Sequence, residues 1–189
     1  MHIVIGLGNP GSAHERDRHN IGFQVLDTLA VREGLSWEHK KIFHADSTQF
    51  GELMLVKPDT FVNESGITAA ALAKQYPDAS VTVVYDEINI SVGQIKCSIG
   101  RGDGGHNGLT SIIAHLGHRD FFRIRVGIRP VHDELLPKIA PPHGFETFVL
   151  APFAPQEEAL KEQGIARAIE AIESLEKHSL SELMNTYNS

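Results

Sequence analysis

The amino-acid sequence predicts a single α/β domain, in which a mostly parallel, twisted mixed sheet is flanked by helices. Short runs of apolar and β-branched residues alternate along the chain with segments of helical period. Turn-forming residues separate these segments, and we find no repeat or linker. The length of 189 residues, with 41% hydrophobic and 22% charged, suits one domain with its own core. We therefore expect one domain over residues 1–189.

The N-terminal half is predicted to contain three strands and two helices. The strands are expected at residues 2–7, 43–48 and 53–57. The first helix begins near Ile21 and ends at Gly34, a typical C-terminal stop. The second helix runs from Asn63, which can cap it, to about Tyr76. A glycine-rich turn at residues 8–11 ends the first strand.

The C-terminal half is predicted to add three strands and three helices. The strands are expected at residues 80–85, 94–99 and 121–128. Asn107 can cap a short helix, and Pro155 can start a long amphipathic one. Ser179 and Glu182 have the spacing of a capping box for a last short helix. The proline-rich residues 131–144 show no clear period, so we expect a mobile surface loop there.

The sequence carries none of the usual signals for a membrane or an oxidising compartment. No apolar run reaches the roughly 18 residues that a membrane helix needs. The first residues have neither a basic n-region nor an apolar stretch long enough for a signal peptide. Cys97 is the only cysteine, so no internal disulfide can form. We expect a cytoplasmic protein that does not bind membranes.

Charge is distributed unevenly along the chain. The net charge is −7, which by itself argues against a nucleic-acid partner. Residues 96–129 nevertheless contain six basic and two acidic side chains, so this segment carries +4 and the rest carries −11. A local basic stripe can dock a phosphate backbone, although the same residues can also be ordinary solvated charges. Charge alone leaves both interpretations open.

A glycine-rich motif at residues 6–11 suggests one rival function. Its sequence, Gly-Leu-Gly-Asn-Pro-Gly, satisfies the dinucleotide-binding pattern G-x-G-x-x-G and follows a strand. However, Pro10 removes one N–H from the loop that would hold a pyrophosphate, and no helical period follows directly. Asp27, at about the right distance for the ribose-binding acid, falls within a predicted helix. These residues disfavour a dinucleotide-dependent oxidoreductase, which stays an alternative.

Other familiar catalytic and metal-binding patterns are absent from the sequence. Neither G-x-x-x-x-G-K-[ST] nor G-x-S-x-G occurs, so a P-loop nucleotidase and a nucleophile-elbow hydrolase are not supported. The chain has 11 histidines but no H-E-x-x-H, and His14 and His19 do not have a usual ligand spacing. We therefore expect no metal site.

A set of polar residues lies at the ends of the predicted elements. The set consists of Asn9, His19, Asn63, Asp86 and Asn107. In a parallel α/β sheet, the carboxyl ends of strands and the starts of the following helices share one edge, where ligands bind. Each asparagine can also be an ordinary cap or turn residue. Together these residues predict a catalytic site at this edge.

The residue types of this set suit hydrolysis by an activated water. A neutral His19 can take a proton from water near neutral pH. Asp86 can accept a hydrogen bond from the other ring nitrogen, which fixes the tautomer and raises the basicity of the ring. The asparagine amides offer uncharged donors and acceptors for a peptide backbone and for a carbonyl oxygen that gains negative charge. No covalent nucleophile is required.

At these positions the sequence resembles the bacterial peptidyl-tRNA hydrolase family. Five segments match that family in order and spacing, over roughly residues 1–130: residues 6–11, 18–23, 57–66, 86–87 and 104–109. The resemblance implies an enzyme that hydrolyses the ester between a peptide, or an N-blocked amino acid, and the 3′ end of tRNA. It also implies an enzyme without metal or organic cofactor, without an obligate protein partner, and usually monomeric.

The resemblance also implies roles for individual residues. His19 is the implied catalytic base and Asp86 its partner. Asn9 stands beside them, and together with Asn63 and Asn107 it is implied to hold the peptide and the attacking water. These implied roles agree with the chemistry that the residue types suggest.

Further implied contacts concern the tRNA. Lys96 and Arg125 match positions that grip tRNA phosphate. The other implied substrate contacts are His14, Val62 and Gly104. The chain departs from the usual family residue at His14, Asp17, Val62, Tyr85 and Ser98. Because Ser98 stands in place of a second basic residue, we expect a weak phosphate grip, and a catalytically weak RNA-binding relative stays a second alternative.

Overall fold

The computed structural model describes residues 1–130 and 144–188. Within these ranges the strands are β1 (His2–Gly6), β2 (Glu38–Lys40), β3 (Ala45–Phe50), β4 (Leu53–Pro58), β5 (Ser80–Ser91), β6 (Ile95–Ile99) and β7 (Phe122–Arg129). They form one sheet in the order β2-β3-β4-β1-β5-β7-β6. Apart from Gly144, the expected proline-rich loop at residues 131–144 lies outside the described residues.

The middle of the sheet is parallel and its margins are antiparallel. Strand β1 pairs in parallel with β4 and β5, and β5 pairs in parallel with β7. Strands β2, β3 and β6 bring antiparallel pairs to the two sides. The central strands are apolar on both faces, as expected for parallel strands that helices cover on both sides. The predicted single-domain α/β fold with a mixed sheet is confirmed.

Helices cover both faces of the sheet. In the described ranges they are α1 (Ile21–Arg32), α2 (Ser65–Gln75), α3 (Asn107–Leu116), α4 (Gly144–Val149), α5 (Glu158–Ser174) and α6 (Leu180–Asn188). Successive strand residues point to opposite faces. Ile3 and Ile5 of β1 therefore join a core cluster with α2 and α3, and Val4 joins another with α1 and α5. None of the described helices is long and apolar enough to cross a membrane.

The helix caps differ in part from the prediction. The cap at Asn63 is wrong, because Asn63 lies in a short 3-10 helix that precedes α2. The cap at Asn107 is also wrong: Asn107 is the first residue of α3, and the side chain of His106 accepts the two backbone N–H bonds of the cap. The predicted capping box is confirmed, with the Ser179 N–H donating to Glu182 at 2.8 Å.

Some strand boundaries are also corrected. Strand β5 continues past its predicted end to Ser91, so Asp86 lies within the strand rather than at its end. Pairing with β7 carries the strand through this polar stretch, and such a tertiary effect is not visible in a local pattern. The strand predicted from residue 43 begins at Ala45, because Lys41–Phe43 forms a 3-10 helix. The short elements β2 and α4 are additional to the prediction.

Helix α1 begins directly against the ends of two central strands. A Cβ atom at Gly22 would collide with backbone atoms of Leu7, after β1, and of Val84, in β5. Only glycine therefore permits this close approach. As a result, the residues just before α1, including His19, lie at the carboxyl ends of β1 and β5.

Candidate active site

His19 and Asp86 meet at this edge of the sheet. His19 belongs to a 3-10 helix (Arg18–Asn20) that leads into α1, and Asp86 lies in β5. The Nδ1 atom of His19 lies 2.7 Å from Oδ1 of Asp86, and both residues are buried. The structure thus brings together the two residues that the sequence singles out. If Nδ1 donates its proton to the carboxylate, Nε2 is left as the basic nitrogen.

A second histidine, which the sequence reasoning missed as a site residue, binds the same carboxylate oxygen. The Nε2 atom of His106 lies 2.9 Å from Oδ1 of Asp86. Its Nδ1 accepts backbone N–H bonds from Gly108 at 3.1 Å and from Leu109 at 3.4 Å. Because Nδ1 is an acceptor, the ring proton lies on Nε2 and is donated to Asp86. His106 therefore caps α3 and orients Asp86 at once.

The ionisation of this cluster favours a carboxylate beside a basic histidine. Burial opposes the charged form of Asp86, but His19 and His106 hold its pKa well below the usual range for a carboxyl. Burial alone would lower the pKa of His19, yet the charge and hydrogen bond of Asp86 raise it above the ordinary value of 6.5. His19 is therefore a stronger base than a free histidine.

Asn9 is held so that only its amide N–H groups are available. Its backbone N–H and C=O both bond to the side chain of Asn20, at 2.9 and 2.8 Å. Its Oδ1 accepts the backbone N–H of Val62 at 2.9 Å. Within the described part of the chain, Nδ2 has no partner, and Asn9 is only 7% exposed. Asn9 can thus offer a substrate or a water a donor but no side-chain acceptor.

Asn63 and Asn107 lie on neighbouring segments at the rim of the site. Both are exposed, and neither side chain bonds to any other described residue. A Cβ atom at Gly108 would lie 2.9 Å from side-chain atoms of both Leu7 and Val62. The start of α3, the 3-10 helix that contains Asn63 and the end of β1 therefore pack closely together. This packing places the two unpartnered amides near Asn9.

A buried ion pair fixes the segment that carries His19. Arg18 donates two hydrogen bonds to the carboxylate of Glu157, at 3.2 and 2.5 Å, and one to the carbonyl of Ile128. Its guanidinium also lies 4.5 Å from the ring centroids of both Phe148 and Phe153. Such a bidentate, stacked arginine holds its backbone firmly. His19, the next residue, is positioned by this contact.

Two predicted phosphate-binding residues lie side by side on the sheet. The strand register places Arg125 of β7 beside Tyr85 of β5, and Lys96 of β6 beside Arg125. This row ends one residue from Asp86. Both cations, together with Arg101 and Ser98, line a cavity of about 460 Å³. The hydroxyl of buried Ser98 and Nε of Arg125 have no partner among the described residues. The cavity therefore offers several free donors to an anion.

The three further substrate positions have different surroundings. His14 pairs with Asp17 at 2.8 Å and is only partly buried. Val62 is buried in the core, and its backbone N–H is the group that holds Asn9. Gly104 is exposed and has a positive φ of 62° in the loop before α3. Val62 supports the site from below, whereas His14 and Gly104 are accessible to a substrate.

The structure also bears on the rival chemistries. Among the described residues, His19, Asp86 and His106 form the one group of potential metal ligands, with their ligand atoms all within 4.8 Å. These atoms are already joined by hydrogen bonds, and a metal would have to displace the bonding protons. At the glycine-rich motif, Gly11 forms part of a turn with φ 98°, and α1 begins only at Ile21. The helix start that would hold a pyrophosphate is absent there.

The fold and the site together define a class of protein. An α/β domain presents a histidine base, an ionised aspartate and uncharged amides at the carboxyl ends of β1 and β5. This set is typical of a hydrolase that activates water without a covalent nucleophile.

Comparison with known proteins identifies the family. The model of the peptidyl-tRNA hydrolase family matches residues 3–189, and the chain belongs to that family. The peptidyl-tRNA hydrolase of Listeria monocytogenes serovar 1/2a is 38% identical, covering 100% of this chain and 99% of that protein. The one from Coxiella burnetii is 42% identical over 74% of this chain and 77% of its own. The crystal structure of the Acinetobacter baumannii enzyme matches with a TM-score of 0.85 at 30% identity, over 100% of this chain and 95% of that one.

Proposed function

We propose that this chain hydrolyses the ester bond between a peptide, or an N-blocked amino acid, and the 3′ end of tRNA, and so frees the tRNA for reuse. The observation that carries the proposal is the buried cluster of His19, Asp86 and His106, in which the free Nε2 of His19 faces the site with three asparagines around it. Membership of the peptidyl-tRNA hydrolase family supports the same substrate.

The first chemical step is the activation of water. His19 Nε2 takes a proton from a water molecule as that water attacks the ester carbonyl. The ring becomes positively charged, and the adjacent carboxylate of Asp86 stabilises that charge. His106 keeps Asp86 in place by its own hydrogen bond, at 2.9 Å. The protonated His19 then supplies the proton that the departing tRNA hydroxyl needs.

The asparagines stabilise what the histidine creates. The Nδ2 group of Asn9 is the buried donor, because its Oδ1 is already occupied by Val62. It is suited to the carbonyl oxygen that gains negative charge in the transition state. Asn63 and Asn107 have both amide groups free, so each can pair with a peptide N–H and a peptide C=O. They hold the peptide backbone regardless of its side chains.

The tRNA is held at the basic cavity on the other side of the centre. Lys96 and Arg125 bind phosphate there, and Arg101 adds a third cation from the loop before α3. The unpartnered hydroxyl of Ser98 adds a donor but no charge. Since only a few phosphates can be contacted, the attraction depends weakly on salt compared with proteins that cover long stretches of duplex.

The setting of the reaction is also part of the proposal. We expect the chain to act in the cytoplasm, as a monomer, without an obligate protein partner or a cofactor. The single cysteine, Cys97, is buried and free, in keeping with a reducing compartment. The centre is built from one chain, since all its residues lie within the described ranges.

A cleavage assay with a chelator present separates this function from its rivals. The purified chain is mixed with N-acetyl-aminoacyl-tRNA after prolonged treatment with EDTA, and release of the N-acetyl amino acid is followed. We expect full turnover, because no step uses a metal. Activity that is lost with EDTA and restored by zinc would contradict the mechanism. Tight tRNA binding without cleavage would favour an RNA-binding relative, and micromolar NAD binding in calorimetry would favour an oxidoreductase.

A further inference from the structure

The catalytic edge of the sheet has one basic side and one acidic side. The sheet order β4-β1-β5-β7-β6 places the catalytic residues at the two middle strands, β1 and β5. The basic cavity of Lys96, Arg101 and Arg125 lies towards β6. A second cavity, of about 230 Å³, lies on the opposite side, against β3 and β4. Because strands are spaced about 4.8 Å apart, the two sides are about 20 Å from each other.

Carboxylates dominate the second cavity, which we call the acidic cavity. Its charged lining consists of Glu15, Asp27, Asp46, Asp59 and Lys57. Lys57 is bound to Asp27 at 2.5 Å, so three carboxylates have no ammonium of the lining beside them. His39, from outside the lining, reaches Asp46 at 3.0 Å and Asp59 at 3.7 Å. The lining carries a clear negative excess even after its internal ion pair is counted.

A buried, unpartnered amide connects the acidic cavity to the catalytic centre. Asn9 lines the cavity, is only 7% exposed, and has no partner for Nδ2 among the described residues. A buried donor without a partner costs free energy unless a ligand or water supplies the acceptor. This cost points to an occupant that accepts a hydrogen bond at Asn9 and extends into the acidic cavity.

The lining also shows how the acidic cavity holds a cation. The ammonium of Lys57 contacts Asp27, and it lies 4.4 Å from the ring centroid of Trp37 and 5.5 Å from that of Phe23. An alkyl stem along apolar surface with a charged end near carboxylates is the usual arrangement of a long basic side chain. The remaining carboxylates, Asp46 and Asp59, are partly exposed and accessible to a second such group.

We propose that the acidic cavity receives the peptide part of the substrate and favours peptides with a lysine or arginine next to the esterified residue. The inference rests on the proposed function. The tRNA is anionic and occupies the basic side, and the ester lies at His19, so the peptide extends towards β4. An extended residue spans about 3.5 Å, which brings the residue before the ester to the cavity that Asn9 borders.

The test compares three substrates that differ in one side chain. Each is an N-acetyl-dipeptidyl-tRNA with the same tRNA and the same esterified alanine, preceded by lysine, norleucine or glutamate. We expect kcat/KM at low salt to be about three- to tenfold higher for lysine than for glutamate, with norleucine between them, since exposed ion pairs are individually weak. The difference should shrink in high salt.

Matched charge variants locate the effect. In Asp46→Asn with Asp59→Asn, the preference should fall towards one, while cleavage of the norleucine substrate stays unchanged. The control is Asp78→Asn with Asp120→Asn, which makes the same charge change at exposed positions before β5 and β7, at the opposite edge; the preference should persist there. Equal rates for all three peptides in the unaltered protein would overturn the inference and leave the proposed function intact. Failure to cleave any of them would instead overturn the proposed function.

Discussion

The catalytic cluster and the basic cavity are built in opposite ways. Every functional group of His19, Asp86 and His106 that faces another is hydrogen-bonded, and all three residues are largely buried. In the basic cavity, Lys96 and Arg101 are exposed, and donors of Ser98 and Arg125 have no partner. A reaction needs groups that are fixed before the substrate arrives. A flexible polyanion needs cations that can adapt, so the looser side is suited to binding and the rigid side to chemistry.

Removing the base should produce the largest effect. His19→Ala deletes the nitrogen that takes the proton, and general-base catalysis contributes on the order of 10²–10⁴-fold. We expect kcat to fall by about that factor, with KM little changed and the protein still folded by circular dichroism. His118→Ala, at an exposed histidine of the opposite edge, serves as the control and should be nearly normal. Near-normal turnover by folded His19→Ala would refute the assignment.

Weakening the basic cavity should have a smaller effect of a different kind. Lys96→Ala and Arg125→Ala each remove one phosphate contact, so KM for peptidyl-tRNA should rise several-fold while kcat changes little, the mark of lost uniform binding. The rise should disappear on a minimal substrate that lacks the tRNA body. Lys74→Ala, at an exposed lysine near the end of α2, should change neither substrate.

The same pair of substrates distinguishes binding from chemistry. Asn107→Ala should impair both of them, because its amide is expected to hold the peptide or the water rather than the tRNA body. Should Lys96→Ala and Arg125→Ala harm the minimal substrate as much as the full tRNA, these residues support the centre or the fold. The contrast between the two regions would then be wrong.

Sequence reasoning found the catalytic edge because its residues follow local rules. His19 precedes a predicted helix and Asp86 follows a β-branched strand, so topology alone places both at the same end of the sheet. It missed the role of His106, because that contact depends on how the loop before α3 folds back over β5. The acidic cavity was equally invisible. Its carboxylates come from separate segments, such as Glu15 and Asp59, which only the packed structure brings together.

The asparagines show the same limit at the level of single bonds. The sequence treats Asn9, Asn63 and Asn107 as equivalent amides. In the structure, Val62 occupies the acceptor of Asn9, while the other two keep both amide groups free. Helix capping, the ordinary role that the sequence allows for Asn107, is taken by His106 instead. Tertiary packing thus decides which polar atoms are available to a substrate.

The pH dependence of kcat/KM, compared between the unaltered protein and Asp86→Asn, tests the central claim most directly. His19 must be neutral to accept a proton, so activity should rise with pH through its pKa. Asp86 holds that pKa above 6.5, and the midpoint of the rise should therefore lie above 6.5. In Asp86→Asn only the lowering effect of burial remains, so the midpoint should move to lower pH while the plateau falls. A flat profile in the unaltered protein, or a midpoint that Asp86→Asn leaves in place, would contradict a base formed by His19 and Asp86.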